Sequence, residues 1–112
     1  WRFTHTHFEN ALRASNKRLG ICKTPIYLLH SPMHLWGRDI EYWVESAAIC
    51  KRKGLLETFG LSNCLAEEVR RAVKAGEKYG VTISVNQVHY SLLDFNSRSL
   101  QEMYRTCNEL GV

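Results

Sequence analysis

The chain has 112 residues, 45% hydrophobic and 23% charged, with 15 basic against 11 acidic side chains and a formal charge of +4. This is the composition of a soluble globular chain, and it bounds the protein to one small domain or a piece of a larger one. No apolar stretch is long enough to span a bilayer, no signal-peptide pattern opens the chain, and the basic excess is mild, so neither a membrane nor a nucleic acid is expected as partner.

Residues 8–19 read as a helix. Phe8, Leu12, Ser15 and Leu19 recur near helical spacing, and Gly20 is a natural stop. Pro25 then forbids helix and opens a strand that runs over Ile26-Tyr27-Leu28-Leu29-His30 and closes at Pro32. Asp39 to Lys53 reads as the next helix, with Ile40, Trp43, Val44, Ala47, Ala48 and Cys50 along one broad face and Gly54 ending it. Lys51, Arg52 and Lys53 close that helix, where cations complement its carbonyl end. A second strand spans Leu55 to Leu61. Asn63 is placed to cap a helix near Ala66 to Lys78, whose apolar positions are Val69, Ala72, Val73 and Tyr79. Gly80 ends it. The third strand is Thr82 to Val88, followed by a loop around Asp94 to Ser97. A last helix sets Leu100, Met103, Tyr104, Cys107 and Leu110 on one side.

Alternation of helices and strands at this spacing implies parallel strands joined by right-handed helical crossovers. Three short apolar runs each end in polar side chains: His30, then Ser62 and Asn63, then Gln87. In parallel α/β folds chemistry gathers at the carboxyl ends of strands. Side chains alternate across a strand, which puts His30 in line with Ile26 and Leu28, and Gln87 in line with Ile83 and Val85. Apolar layers below a polar rim describe the inside of a barrel. Three parallel strands leave two unpaired edges, so the chain is expected to be part of a larger α/β protein or to complete itself by oligomerisation. The opening on Trp1 rather than Met agrees with a partial product.

Cys22, Cys50, Cys64 and Cys107 are irregularly spaced, with no Cys-x-x-Cys pair, and are expected as reduced thiols in an intracellular protein, Cys64 partly exposed. His5 and His7 have ligand-like spacing but no evident third ligand, so no metal is expected. His34 and His89 read as loop residues near the rim. Trp36 could wall a substrate pocket or pack a helix.

Consecutive motifs of this chain resemble the middle of an aldo-keto reductase. Leu19-Gly20 and Tyr27-Leu28-Leu29-His30-Ser31-Pro32 resemble the family's fourth strand and its catalytic histidine. Gly60-Leu61-Ser62-Asn63 resembles the fifth strand end, and Asn86-Gln87-Val88-His89-Tyr90-Ser91 the sixth. Cys107-Asn108-Glu109-Leu110-Gly111-Val112 resembles the helix and turn leading to the seventh. The resemblance implies that residues 1–112 are a partial TIM (β/α)8 barrel, roughly helix 3 to helix 6 with three parallel strands. It implies an NADP(H)-dependent oxidoreductase that reduces aldehydes or ketones by hydride transfer, with a small-molecule carbonyl substrate. His30 would orient and polarise the substrate carbonyl, and Ser62, Asn63 and Gln87 would hydrogen-bond the nicotinamide carboxamide. A planar amide needs donors and acceptors, and these side chains provide both.

The family's Asp, Tyr and Lys would lie on earlier strands, the Lys a little upstream of Trp1, and the phosphate-binding loops on later ones. The partner implied for this chain is therefore the remainder of the barrel, and the chain alone is expected to be inactive. Phe59 and Cys64 depart mildly from the family pattern. The alternative reading is a non-catalytic nucleotide-binding or regulatory subunit on the same barrel. The expected compartment is the cytoplasm, with the plastid as alternative because the Asn86 to Leu92 pattern resembles plastid-associated members.

Overall fold

The computed structural model describes residues 4–31, 37–91 and 96–112. The expectations placed on Pro32, His34 and Trp36, and on Asp94 in the last loop, fall outside those residues. The elements run α1 (His5–Leu19), β1 (Thr24–Leu28), α2 (Ile40–Arg52), β2 (Leu56–Ser62), α3 (Ala66–Tyr79), β3 (Ile83–Gln87) and α4 (Arg98–Leu110). The strands form one parallel sheet in the order β1-β2-β3. Right-handed crossovers that step always in one direction put every crossover helix on the same side of the sheet. This is the arrangement of an arc of barrel wall: within these three strands the order does not reverse, as it does at the switch point of a doubly wound sheet.

Local chemistry sets the helix ends. Thr4 and His7 form a reciprocal cap on α1: the Thr4 hydroxyl accepts from the His7 amide, and His7 Nδ1 accepts from the Thr4 amide, each at 3.3 Å. Ser97 caps α4 by accepting from Leu100 N at 3.3 Å. Helix α2 closes on Lys53, one residue before Gly54. Helix α3 does not start from Asn63. Its cap is Leu65, whose amide donates to the Glu68 carboxylate at 2.8 Å, because Asn63 is engaged elsewhere.

One core joins the helices to the sheet. Phe8 and Leu12 of α1, Trp43, Val44, Ala47 and Ala48 of α2, Val69 and Ala72 of α3, and Met103 of α4 pack over Leu29, Phe59, Leu61 and Ile83. Phe8 meets Tyr27 and Phe59 edge-on, with ring centroids 5.5 and 5.8 Å apart. The expected α1 stripe is corrected at one end. Leu19 is 65% exposed, and Asn16 takes the buried place one turn after Leu12. Asn16 Nδ2 donates to the carbonyls of Leu55 (2.9 Å) and Cys22 (3.2 Å), and its Oδ1 accepts from the Thr24 hydroxyl. Its buried amide thus ties α1 to the turn before β1, to the Thr24 side chain and to the turn into β2, with its own polar atoms satisfied.

The far face of the sheet is open. Tyr27 pairs with Phe59 on the helix side, while Leu28 pairs with Gly60 on the other. A side chain at Gly60 would collide with Leu28 and Val85, which close over the glycine. Strict alternation predicted Ile83, Val85 and Gln87 on one face. The structure corrects this: Phe59 pairs with Ile83 but Gly60 pairs with Val85, so a bulge at Ser84 inserts one residue. Ile83 is therefore buried toward α3, while Ser84, Val85 and Gln87 belong to the open face. The Ser84 hydroxyl bonds Thr58 Oγ1 at 2.9 Å on that face.

Candidate functional site

Register brings the polar strand ends to one level. Ser62 pairs with Gln87, two residues above the Gly60–Val85 pair. On the other side the ladder continues past Leu28, where Leu29 N donates to the Gly60 carbonyl at 3.0 Å. One residue further sets His30 level with Ser62. Thus Ser62 and Gln87 form a row at the carboxyl ends of β2 and β3, on the open face over Gly60 and Val85, and His30 follows two residues past the end of β1. The bulge makes this row possible. Without the extra residue in β3, Gln87 would fall out of step with Ser62.

Asn63 ends the β2 ladder. It adopts the left-handed conformation, with φ 55°, which Asn tolerates better than other non-glycine residues. Its amide donates to the Gln87 carbonyl at 2.8 Å. Its side-chain Oδ1 accepts from the His89 amide at 2.7 Å. A backbone N–H can only be accepted by the oxygen, so the flat side chain is fixed with Nδ2 turned away, 3.5 Å from Ser62 Oγ. Ser62 is itself buried, whereas His30, Asn63 and Gln87 are exposed. Among the described residues the His30 and Gln87 side chains have no hydrogen-bond partner. His30 borders a groove of about 380 Å³ beside β1, lined by Phe8, Tyr27, Leu29 and Trp43.

This donor and acceptor set fits a planar carboxamide. Asn63 Nδ2 can donate to its oxygen, and the Gln87 amide can both donate and accept. Sequence reasoning named these four residues but missed the side chain that braces them. Asn86 Oδ1 accepts from the Cys64 amide (3.3 Å), and its Nδ2 donates to the Cys64 carbonyl (2.8 Å). No local pattern signals it, because Asn86 bonds a residue 22 positions away.

The other polar candidates are occupied structurally. His7 caps α1. His5 stacks on Tyr42 with centroids 4.2 Å apart and hydrogen-bonds Ser46 Oγ at 2.7 Å, tying α1 to α2. His89 sits at the rim, where its amide holds Asn63. Cys64 is buried rather than partly exposed, and burial pushes its thiol up to about 12. Burial pushes the Cys50 thiol up to about 11. Cys22 is the exposed one, and all four thiols are free. No helix among the described residues is long and apolar enough to cross a membrane.

The chain is similar in sequence and in fold to known proteins. The chain is 31% identical over 114 residues to a chloroplastic pyridoxal reductase of Arabidopsis thaliana, covering all of this chain and 31% of that protein. Among solved structures, a thermostable aldo-keto reductase in complex with the inhibitor epalrestat superposes with a TM-score of 0.80 at 22% identity, over 99% of this chain and 38% of the other. The holo form of aldo-keto reductase AKR11C1 from Bacillus halodurans gives 0.75 at 21% identity, over 100% of this chain and 35% of the other. The chain therefore spans about a third of the length of these relatives, and its sheet is an arc of a TIM barrel. The sequence profile of the Aldo/keto reductase family matches residues 2–112, and the chain belongs to that family.

Proposed function

We propose that this chain is the central part of a nicotinamide-dependent oxidoreductase that reduces aldehydes or ketones to alcohols. The observation that carries the reading is the Ser62–Gln87 pair at the carboxyl ends of β2 and β3, with Asn63 beside it and His30 two residues past the end of β1. In this reading Asn63 Nδ2, the Gln87 amide and the Ser62 hydroxyl hold the carboxamide of NADP(H). When bound, the cofactor supplies the hydride that reduces the carbonyl carbon. Holding the carboxamide at three points fixes which face of the ring meets the substrate. His30 donates a hydrogen bond from its ring to the substrate carbonyl oxygen. It aligns the carbonyl and draws electron density from its carbon. The proton that completes the alcohol comes from a residue outside these 112, which makes the remainder of the barrel an obligatory partner.

The test is made on the intact protein that contains these residues. NADPH oxidation is followed against a panel of aldehydes and ketones, with pyridoxal included because the chloroplastic relative carries that activity in its name. Turnover is expected in the parent. His30→Ala is expected to lower kcat/KM by about 10²-fold or more, within the range that positioned hydrogen-bonding groups supply in catalysis, while leaving NADP(H) affinity unchanged. Cofactor binding without turnover on any carbonyl would replace this reading with the non-catalytic nucleotide-binding one. For the compartment, the chloroplastic relative supports the plastid against the cytoplasm, and imaging a fluorescent fusion of the intact protein decides between them.

A further inference from the structure

The ends of β2 and β3 hold each other through two asparagines. Beyond Ser62 the parallel ladder stops, because Asn63 turns left-handed. Two side chains take over the bonding that the backbone gives up. Asn63 Oδ1 reaches across to the His89 amide at 2.7 Å. In the reverse direction Asn86 reaches from β3 to the peptide groups of Cys64, accepting at 3.3 Å from the amide and donating at 2.8 Å to the carbonyl. Each asparagine thus fixes the exit of the opposite strand. Asn86 pairs with Leu61 on the helix side of the sheet, while its neighbour Gln87 pairs with Ser62 on the open side. Asn86 therefore has its back to the rim and can touch nothing bound there.

We propose that Asn86 is the positioning residue of the carboxamide-binding trio, a role that rests on the function proposed above. Its two bonds to Cys64 clamp the residue that follows Ser62 and Asn63. With both ends of that turn held, Asn63 keeps its left-handed backbone, its Oδ1 stays on His89, and its Nδ2 stays available to a ligand oxygen. Losing the clamp frees the turn to relax toward ordinary backbone angles, which rotates the Asn63 amide out of line. No other polar side chain among the described residues bonds the Cys64 backbone, so nothing substitutes for it.

The experiment compares the intact parent protein with Asn86→Asp and Asn86→Leu. Asn86→Asp keeps the acceptor for the Cys64 amide but sets a carboxylate oxygen against the Cys64 carbonyl. Asn86→Leu removes both bonds at similar volume. NADP+ affinity is read by fluorescence titration. Facial selectivity is read with NADPH deuterated on one face of the ring, and thermal midpoints are recorded alongside. Loss of one to two hydrogen bonds predicts about tenfold weaker NADP+ binding in Asn86→Asp, and more in Asn86→Leu. Label transfer from the second ring face is also expected. A lower thermal midpoint with unchanged affinity and unchanged facial selectivity overturns the proposal, because a merely structural residue would give that result. If Asn86→Leu fails to fold, Asn86→Asp decides. If the parent itself does not bind NADP+, the proposed function falls and takes this role with it. If the parent binds and the variants bind equally well, only the role of Asn86 falls.

Discussion

Gly76 shows how one atom can set a junction. It lies on α3 where the chain returns into β3, and its carbonyl accepts from both Gly80 N (2.8 Å) and Val81 N (3.0 Å). A Cβ there would collide with the Val81 backbone carbonyl. A backbone oxygen held in a tight return cannot swing aside as a side-chain end can. Gly76→Ala is therefore expected to destabilise the intact protein by about 1–3 kcal/mol despite the better helix propensity of alanine. Urea unfolding measures this, and a gain in stability would refute the packing argument. Thiol chemistry gives a second check at this scale. Cys50, Cys64 and Cys107 are buried, and burial raises all three thiols, so little thiolate is present near neutrality. Cys22 is exposed. Brief alkylation of the native protein, mapped by mass spectrometry, is expected to mark Cys22 well before the other three. Prompt labelling of Cys64 would contradict its burial. The four rim residues were legible from residue type alone, since each polar group ended an apolar run. Asn86 was not, because its value lies in bonds to a residue 22 positions away, which no local pattern reveals.

At the scale of elements, the face of α2 followed from periodicity, because a stripe such as Ile40, Trp43, Val44, Ala47 and Ala48 has only one way to be buried, and the parallel strands followed from the alternation of helix and strand. The face of β3 was misread for a physical reason. A bulge carries no fixed composition, and one inserted residue reverses the alternation on which the reading depends. Contacts between helices were equally hidden. Arg71 of α3 forks onto Glu41 of α2, Nε to Oε1 at 2.8 Å and Nη2 to Oε2 at 2.7 Å, with Asp39 3.9 Å away. The Arg71 hydrogen bonds hold the Glu41 carboxyl below the ordinary glutamate value of 4.5. A depressed folded value means that the pair stabilises above the unfolded value and loses that contribution as pH falls through the folded one. Both side chains are about 40% exposed, so the whole contribution is under about 1 kcal/mol. Glu41→Gln is therefore expected to lower stability slightly near pH 7, with the gap to the parent closing as pH falls well below 4.5. Paired urea titrations across that range measure it. A gap independent of pH would show that the fork contributes through packing and not through charge.

For the whole molecule, the decisive feature is what the sheet leaves uncovered. All the crossover helices lie on one face, and the other face presents Ile26 at 47% and Leu28 at 36% exposure. The sheet ends on β1 at one side and β3 at the other. A closed barrel covers such a face with the opposite wall and pairs both edges, and the relatives are about three times as long as this chain. Parallel strands with a bare face and two open edges are a template for association. The 112-residue chain produced alone is therefore expected to self-associate, with a weight-average mass in sedimentation equilibrium that rises with concentration. Replacing Ile26 and Leu28 by lysine should suppress the rise, because it places charge on the face that would pack, while leaving the helix-side core untouched. A chain that stays monomeric at every concentration would mean that the three-strand arc closes its own apolar surface, and the argument that it requires the remainder of a barrel would fail. If association instead persists in the lysine variant, the free edges rather than the open face drive it, and the next substitution belongs on β1 or β3 at a position facing outward along the sheet.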